Sequence, residues 1–513
     1  MFLFLLRRFL QSVVILLILS LVMYVLVSYT IDPLADLRQS TAPNKTQLIA
    51  DRIAMLNLDK PVLLRYIWWL GGAAGCLIGR CNLGTAWMEN QKVTDQLTGA
   101  MAATFEMVFA ATIIAIILGV IVGLISALRQ YSGFDYFIIF VSFVMYSLPV
   151  FWVAVLLKQY LAIDFNNFLT DPTLSWPVVI VLALVSGLLW MAALGGSRRR
   201  RLVTFVTAAG VTLAAELYVV LSGWLNTPQI GIVGVAVIAA GAAIGVTVLS
   251  AGLHNKRALY SAFTMGALGV ALYVPLQYFF AYVPANALII LVLFLITIGF
   301  GVLIGYLFGG PDRGQSVRGT IIVGIIVSFA IFVDRTMQIW AAYTDSDQIH
   351  HRPIATIGSS TPNLGGDFWV QTLDVFTHLL LPSVGLILIA FAEFTRFTRA
   401  SMLEVMGLDY IRTARSKGLT ERTVIMRHAL RNSLLPLASI VPVSIMTIVG
   451  GAVITETIFG WYGMGRMFYD SLQQNEIDPV MAYIVIVGAL AVLANLVSDL
   501  VYSLLDPRIR VAS

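Results

Sequence analysis

The chain has 513 residues, 59% of them hydrophobic and 12% charged, with a formal net charge of +5 and a mean hydropathy of +0.88. A soluble protein of this length needs far more charge to cover its surface, so composition excludes that class and indicates a polytopic helical membrane protein. The small basic excess fits loop charge facing a cytoplasm and anionic lipid rather than nucleic-acid binding.

The N-terminus reads MFLFLLRRFLQSVVILLILSLVMYVLVSYT. Its apolar run from Phe9 to Tyr29 is long enough to span and lacks the small-residue cleavage site of a signal peptide, which predicts a retained span with Arg7 and Arg8 inside. Residues 30–100 then carry nearly balanced charge, the Trp68–Trp69 pair and the only two cysteines, Cys76 and Cys81. If this segment is extracytoplasmic a disulfide between them is allowed; the alternative is two unpaired thiols.

Further apolar windows of helical length fall at 102–127, 135–162, 177–194, 202–224, 229–250, 258–282, 286–308, 318–341, 373–397, 432–456 and 480–504, which makes twelve candidate spans with 9–29. The even-numbered spans return to RQYSGFD, SRRRR, HNKR, PDRGQSVR, the stretch 409–436 and the tail DPRIR, all basic. The short outward loops DFNNFLTDPT, NTPQ and PAN hold no Lys or Arg. This alternation predicts both termini in the cytoplasm. Residues 342–372, with YTDSDQIHHRP and NLGGDFW, form a second long outward segment: an ordered cap, a binding surface or a plain lid. His350 and His351 lack metal-ligand spacing and read as solvated loop.

The chemistry of an energised pump is missing from the chain itself. A phosphate-binding loop needs Gly-Lys followed by Ser or Thr, and none of the six lysines follows a glycine. Carboxylates that could couple ions, Glu106, Glu216, Asp334, Glu393 and Glu456, mostly sit near span ends and read as interfacial or paired groups. No hydrolase constellation stands out.

One stretch departs from the rest. Residues 409–436 read DYIRTARSKGLTERTVIMRHALRNSLLP, and eight basic and three acidic residues lie between Arg396 and Arg431. Loop orientation alone needs two or three basic residues. Leu408, Ile411 and Ala414 form an apolar stripe on a short helix that Gly418 would end; Thr420, Glu421 and Thr423 can start the next. A short amphipathic helix bordered by basic residues suits a groove on a soluble partner, or else rests on anionic headgroups.

DYIRTARSKGL followed by RHALRNSLLP closely resembles the cytoplasmic coupling (EAA) loop of bacterial ABC-importer permeases of the dipeptide and oligopeptide type. Arg412, Thr413 and Ala414 stand where the wider family has Glu-Ala-Ala, and Gly418 is the motif glycine. LNLDKPVLLRYIWWL, TFEMVFAATIIAIILGVIVGLISALRQ, SLPVFWVAVLL, FTRASMLEV, ITETIFGWYGMGRMF and DPVMAYIVIVGALAVLANLVSDLVYSLLDPRIR resemble successive segments of that branch. The resemblance covers roughly residues 1–162 and 352–510. Tyr462 stands where the family has Pro, and residues 165–350, holding six of the twelve spans, match nothing in it.

The resemblance implies an all-α type I permease: a core of six spans interrupted by an inserted bundle of about six. Its divisions are a first helix and extracytoplasmic segment (1–100), a permease domain (98–503) interrupted at 165–350, a coupling loop (408–431) and a cytoplasmic tail (504–513). The insertion, even in span number and lodged in an outward loop, reads as a peripheral bundle that leaves downstream orientation unchanged. The resemblance further implies a bacterial plasma-membrane location and a pairing with a second permease. Two cytoplasmic ATPases, which hold ATP and Mg, and an extracytoplasmic solute-binding protein complete the system; the chain itself carries no cofactor or metal and is not an enzyme. Asp409, Tyr410, Arg412, Thr413, Ala414, Arg415, Lys417, Gly418 and Leu419 are then the residues coupling to the ATPases. Peptides lead as substrate, while related importers take nickel complexes, glutathione or sugars. The competing reading is a self-contained channel or ion-coupled carrier.

Overall fold

The structure, a computed structural model, describes residues 2–172, 175–250, 252, 254–310 and 313–505. In chain order the helices are α1 (Phe2–Thr30), α2 (Ala35–Gln39), α3 (Lys45–Leu56), α4 (Val62–Ala74), α5 (Val93–Leu128), α6 (Gly133–Ser147), α7 (Val150–Leu156), α8 (Phe165–Thr170), α9 (Trp176–Leu194), α10 (Arg198–Leu221) and α11 (Gly231–Ser250). They continue as α12 (Lys256–Tyr282), α13 (Ala287–Phe308), α14 (Arg313–Gln338), α15 (Trp340–Thr344), α16 (Phe368–Met406), α17 (Asp409–Ser416), α18 (Glu421–Thr423), α19 (Leu430–Gly451), α20 (Val453–Phe459), α21 (Met464–Gln473) and α22 (Ile477–Leu505). The strands β1 (Thr85–Ala86) and β2 (Gln91–Lys92) pair antiparallel, Thr85 opposite Lys92. Among the described residues eleven helices are long and apolar enough to cross a membrane, or twelve if the bent α6–α8 segment counts as one span. The tail DPRIR lies outside the described residues.

Two spans differ from the sequence-based expectation. The window 135–162 is not one straight helix: it bends by 101° between α6 and α7. Leu148 is extended ahead of Pro149, because a residue before proline is pushed out of the helical region and proline cannot donate to the preceding turn. The window 432–456 stops at the Gly450–Gly451 pair, where helix propensity is weakest, and its end belongs to the separate α20. The SRRRR loop is also largely helix: Arg198–Arg201 form the first turn of α10, with the Ser197 hydroxyl accepting from the Arg200 amide.

The core is organised by α5 against α16. A Cβ at Gly119 would lie 2.7 Å from Phe394 Cβ, and one at Gly123 would lie 2.6 Å from the Thr395 carbonyl oxygen. Small residues at these positions bring the backbones into direct contact, the usual route to tight helix pairs in lipid. At one end of this pair Arg399 donates to both oxygens of buried Asp135 on α6, at 2.7 and 2.9 Å, and the Ser126 hydroxyl donates to the same carboxylate. The cluster between α1, α4, α5, α21 and α22 buries Trp461, Met464 and Met481 completely.

The segment 165–350 divides into two pieces. The hairpin α9–α10 rests on α6, and α11–α14 form a four-helix unit with its own core of Val235, Ala243, Val323 and Val327. That unit meets the permease core through aromatic rings: Phe280 and Phe332 lie 4.9 and 5.5 Å from Trp369 at the head of α16. Buried Asp334 locks that same end. One oxygen accepts from the Ile230 and Gly231 amides at the start of α11, the other from Tyr273, Gln277 and Gln338.

Both long loops at the end opposite α17 are ordered. In the first, Cys76 and Cys81 form a disulfide, Trp69 donates to the Leu83 carbonyl, and the Met88 amide donates to Glu476. In the second, Asp374 of α16 accepts from Tyr343 and from the amide and hydroxyl of Thr361, while Asn166 and Ile354 exchange two hydrogen bonds. Burial raises the Tyr343 phenol above its ordinary 10.0.

Candidate coupling site

After Met406 the chain turns at Gly407 and enters α17, only eight residues long. A helix this short does not hold in water by itself. Asp409 in its first turn and Arg415 in its last complement the helix dipole. Tertiary contacts supply the rest. Ile411 is fully buried and Ala414 nearly so, packed with Ala127, Met402, Val405, Val424 and Ala429. Burying an isoleucine side chain is worth about 1.5–3 kcal/mol. The Asn432 amide donates to the Tyr410 hydroxyl at 2.8 Å and fixes the helix to α19.

Gly418 ends the turn with φ of +76°, and the Gly418 amide donates to the Arg415 carbonyl at 3.0 Å. Left-handed backbone costs a residue bearing Cβ, so glycine is required by conformation and not by crowding, since no atom would meet its Cβ. Thr420 caps α18, and Arg415 reaches across the glycine to grip Glu421 at 2.7 and 3.2 Å. The hydrogen bond from Arg415 holds the Glu421 carboxyl below its ordinary 4.5.

The expected apolar stripe therefore splits. Ile411 and Ala414 turn inward onto the chain's own helices, so Ala414 is unavailable to a partner groove; Leu408 stays exposed. The reason is packing: the bundle beneath α17 has an apolar floor that takes the helix's own apolar face. Facing outward together are Asp409, Tyr410, Arg412, Thr413, Arg415, Lys417, Gly418 and Leu419, joined by Met426 and Arg427. This is a basic surface studded with single apolar side chains. Glu421, expected only as part of a helix start, and Arg422, outside the expected coupling residues, both shape the site. Arg422 donates to the Val248 carbonyl at the end of α11, so the inserted segment reaches the coupling loop. A short polar link of this kind leaves no periodicity in sequence.

The other motif segments fold around Glu456. This buried carboxylate accepts from Thr104 at 2.6 Å and from the Arg466 amide at 2.9 Å, and it closes the GWYGMG turn onto α5. Tyr462, in place of the expected proline, accepts from Gln96. Asp334 and Glu456 are thus buried carboxyls held by neutral hydrogen-bond donors, whereas Glu216 retains a buried oxygen without a hydrogen-bond partner. Among the described residues no cluster of His, Cys, Asp or Glu could hold a metal.

An all-helical core of long apolar spans closed by a docked basic loop defines a polytopic membrane protein. Family models agree: the binding-protein-dependent transport system inner membrane component matches residues 257–511, and its N-terminal companion matches residues 1–108. The chain belongs to this family. It is 43% identical over 155 residues to the oligopeptide transport system permease protein OppB of Mycobacterium tuberculosis, covering 30% of this chain and 48% of that protein. It is 46% identical over 138 residues to the dipeptide transport system permease protein DppB of Escherichia coli (27% and 41%). It is 45% identical over 136 residues to the oligopeptide transport system permease protein AppB of Bacillus subtilis (26% and 43%). The chain spans less than half the length of each of these relatives. The larger family match starts at residue 257, so residues 257–350 do match the family, against the expectation that nothing in 165–350 does; by packing, the four-helix unit begins earlier, at α11.

Proposed function

We propose that this chain is the permease subunit of an ATP-driven importer that carries di- and oligopeptides across a bacterial plasma membrane. The observation that carries the reading is the α17–α18 loop: a short helix nailed down by Ile411 and Ala414, presenting Tyr410, Arg412, Lys417 and Leu419 outward. An anchored basic face fits a groove on a soluble motor, and the peptide-permease relatives supply the cargo class. In this reading the end bearing α17 is cytoplasmic, with both termini. Two ATPases bind there with ATP and Mg, a second permease completes the path, and a solute-binding protein docks outside.

Closure of the ATPases on ATP displaces the docked loop. Because the loop is packed on α5, α16 and α19, its motion passes to those helices and shifts the bundle between inward- and outward-open states. The chain does no covalent chemistry. Purification in mild detergent tests the reading: an importer permease brings ATPase subunits with it in stoichiometric amount, and recovery of the chain alone with full transport activity would identify a self-contained carrier.

A further inference from the structure

α16 carries two arginines one turn apart whose surroundings differ. Arg399 is neutralised by the bidentate pair with Asp135. Arg396 is exposed and, among the described residues, has no carboxylate at ion-pair distance. Its guanidinium carbon lies 5.2 Å from the ring centroid of Phe143 and 4.6 Å from that of Tyr146. The Arg399–Asp135 pair fixes α6 against α16 and so brings these rings, two to three turns along α6 from Asp135, over Arg396.

Arg396 is the next-to-last residue of the apolar window 373–397, and an arginine at the end of a span normally faces water or a counter-charge. Here half-buried Glu393 lies one turn away on the same face, with exposed Phe397 beside it. Two charged groups on the open face of one spanning helix mark the side turned toward water rather than acyl chains. Resting the guanidinium on ring faces leaves its in-plane N–H groups free, and that fork matches a carboxylate.

We propose that Arg396 is an anion-binding point on the transport path, and that the group it receives is the C-terminal carboxylate of the cargo peptide. This rests on the peptide-import reading above. The test is uptake of trialanine and of trialanine amide by the complete importer in proteoliposomes, each expressed as variant over wild type. That ratio cancels any preference of the binding protein, which the variants share. Arg396→Gln should lower trialanine uptake about tenfold, the usual scale for losing a charged hydrogen bond, and leave the amide near wild type. Arg396→Lys, a point charge without the fork, should fall between. Equal losses for both peptides, or no loss for either, would overturn the assignment. So would loss of the second permease from the purified Arg396→Gln complex, which would give Arg396 a carboxylate on that subunit instead. Wild type that carries neither peptide would overturn the peptide reading itself, and this assignment with it.

Discussion

Gly418 and Ala414 sit four residues apart and are constrained in opposite ways. At Gly418 the backbone decides: with φ of +76°, a β-branched side chain is strained by roughly 1–2 kcal/mol or more although nothing crowds it. Gly418→Val should abolish ATP-driven uptake while the permease remains in the membrane at normal level; normal uptake would sink the coupling role. At Ala414 burial decides. Ala414→Asp forces a charge into the Ile411–Met402–Val424 cluster and should cost roughly 3 kcal/mol or more. It should expose the loop to protease in the isolated permease, before any ATPase is added. Charge reversal at exposed Arg412 should instead leave protease resistance intact and reduce co-purification of the ATPases. The Arg415–Glu421 pair gives a pH statement. Glu421 is lowered, so the pair stabilises the loop above the ordinary carboxylate value of 4.5 and is lost only as pH falls below it. Stimulated ATP hydrolysis in wild type and Glu421→Gln should therefore share one pH profile near neutrality; a step in wild type that the variant lacks would contradict this.

Helix-scale features were legible in sequence where one physical signal dominated. Apolar length located the spans, and Gly418 marked the turn because few other residues tolerate positive φ. The bend at Pro149 escaped because hydropathy does not register a backbone break. The inward turn of Ala414 escaped because a helix with apolar residues on one face does not reveal whose apolar surface will cover them. Asp135–Arg399 joins positions 264 apart, beyond any local pattern. The loop between α4 and α5 offers a test at this scale. Cys76 and Cys81 should resist a membrane-impermeant thiol reagent on intact cells and label after mild reduction. Labelling that requires broken cells would invert the topology, and labelling without reduction would reject the bond in the cell.

For the whole molecule, the question is how much of the chain transport needs. The α11–α14 unit has its own core and touches the permease core mainly at Trp369, with Arg422 as a second link. Deleting 175–338 and joining the ends with a polar linker should preserve substrate-stimulated ATP hydrolysis in a reconstituted complex. Yield should fall, because Trp369 and Phe376 lose the rings they pack against. A deletion that assembles fully and binds its solute-binding protein, yet moves no substrate, would make the inserted helices part of the path.

The glycines that bring α5 and α16 together carry a mechanical consequence. Where Gly119 and Gly123 meet Phe394 and Thr395, no deformable layer of side chains lies between the two backbones. A soft interface would let one helix slide while its neighbour stayed put, dissipating a push as local rearrangement. Here the two rods are effectively welded. A displacement delivered at α17 therefore moves the pair together where the glycines touch, and Pro382, which removes a backbone hydrogen bond midway along the 39-residue α16, is where it can turn into a bend. From α17 to that proline the pair behaves as a lever arm rather than a spring.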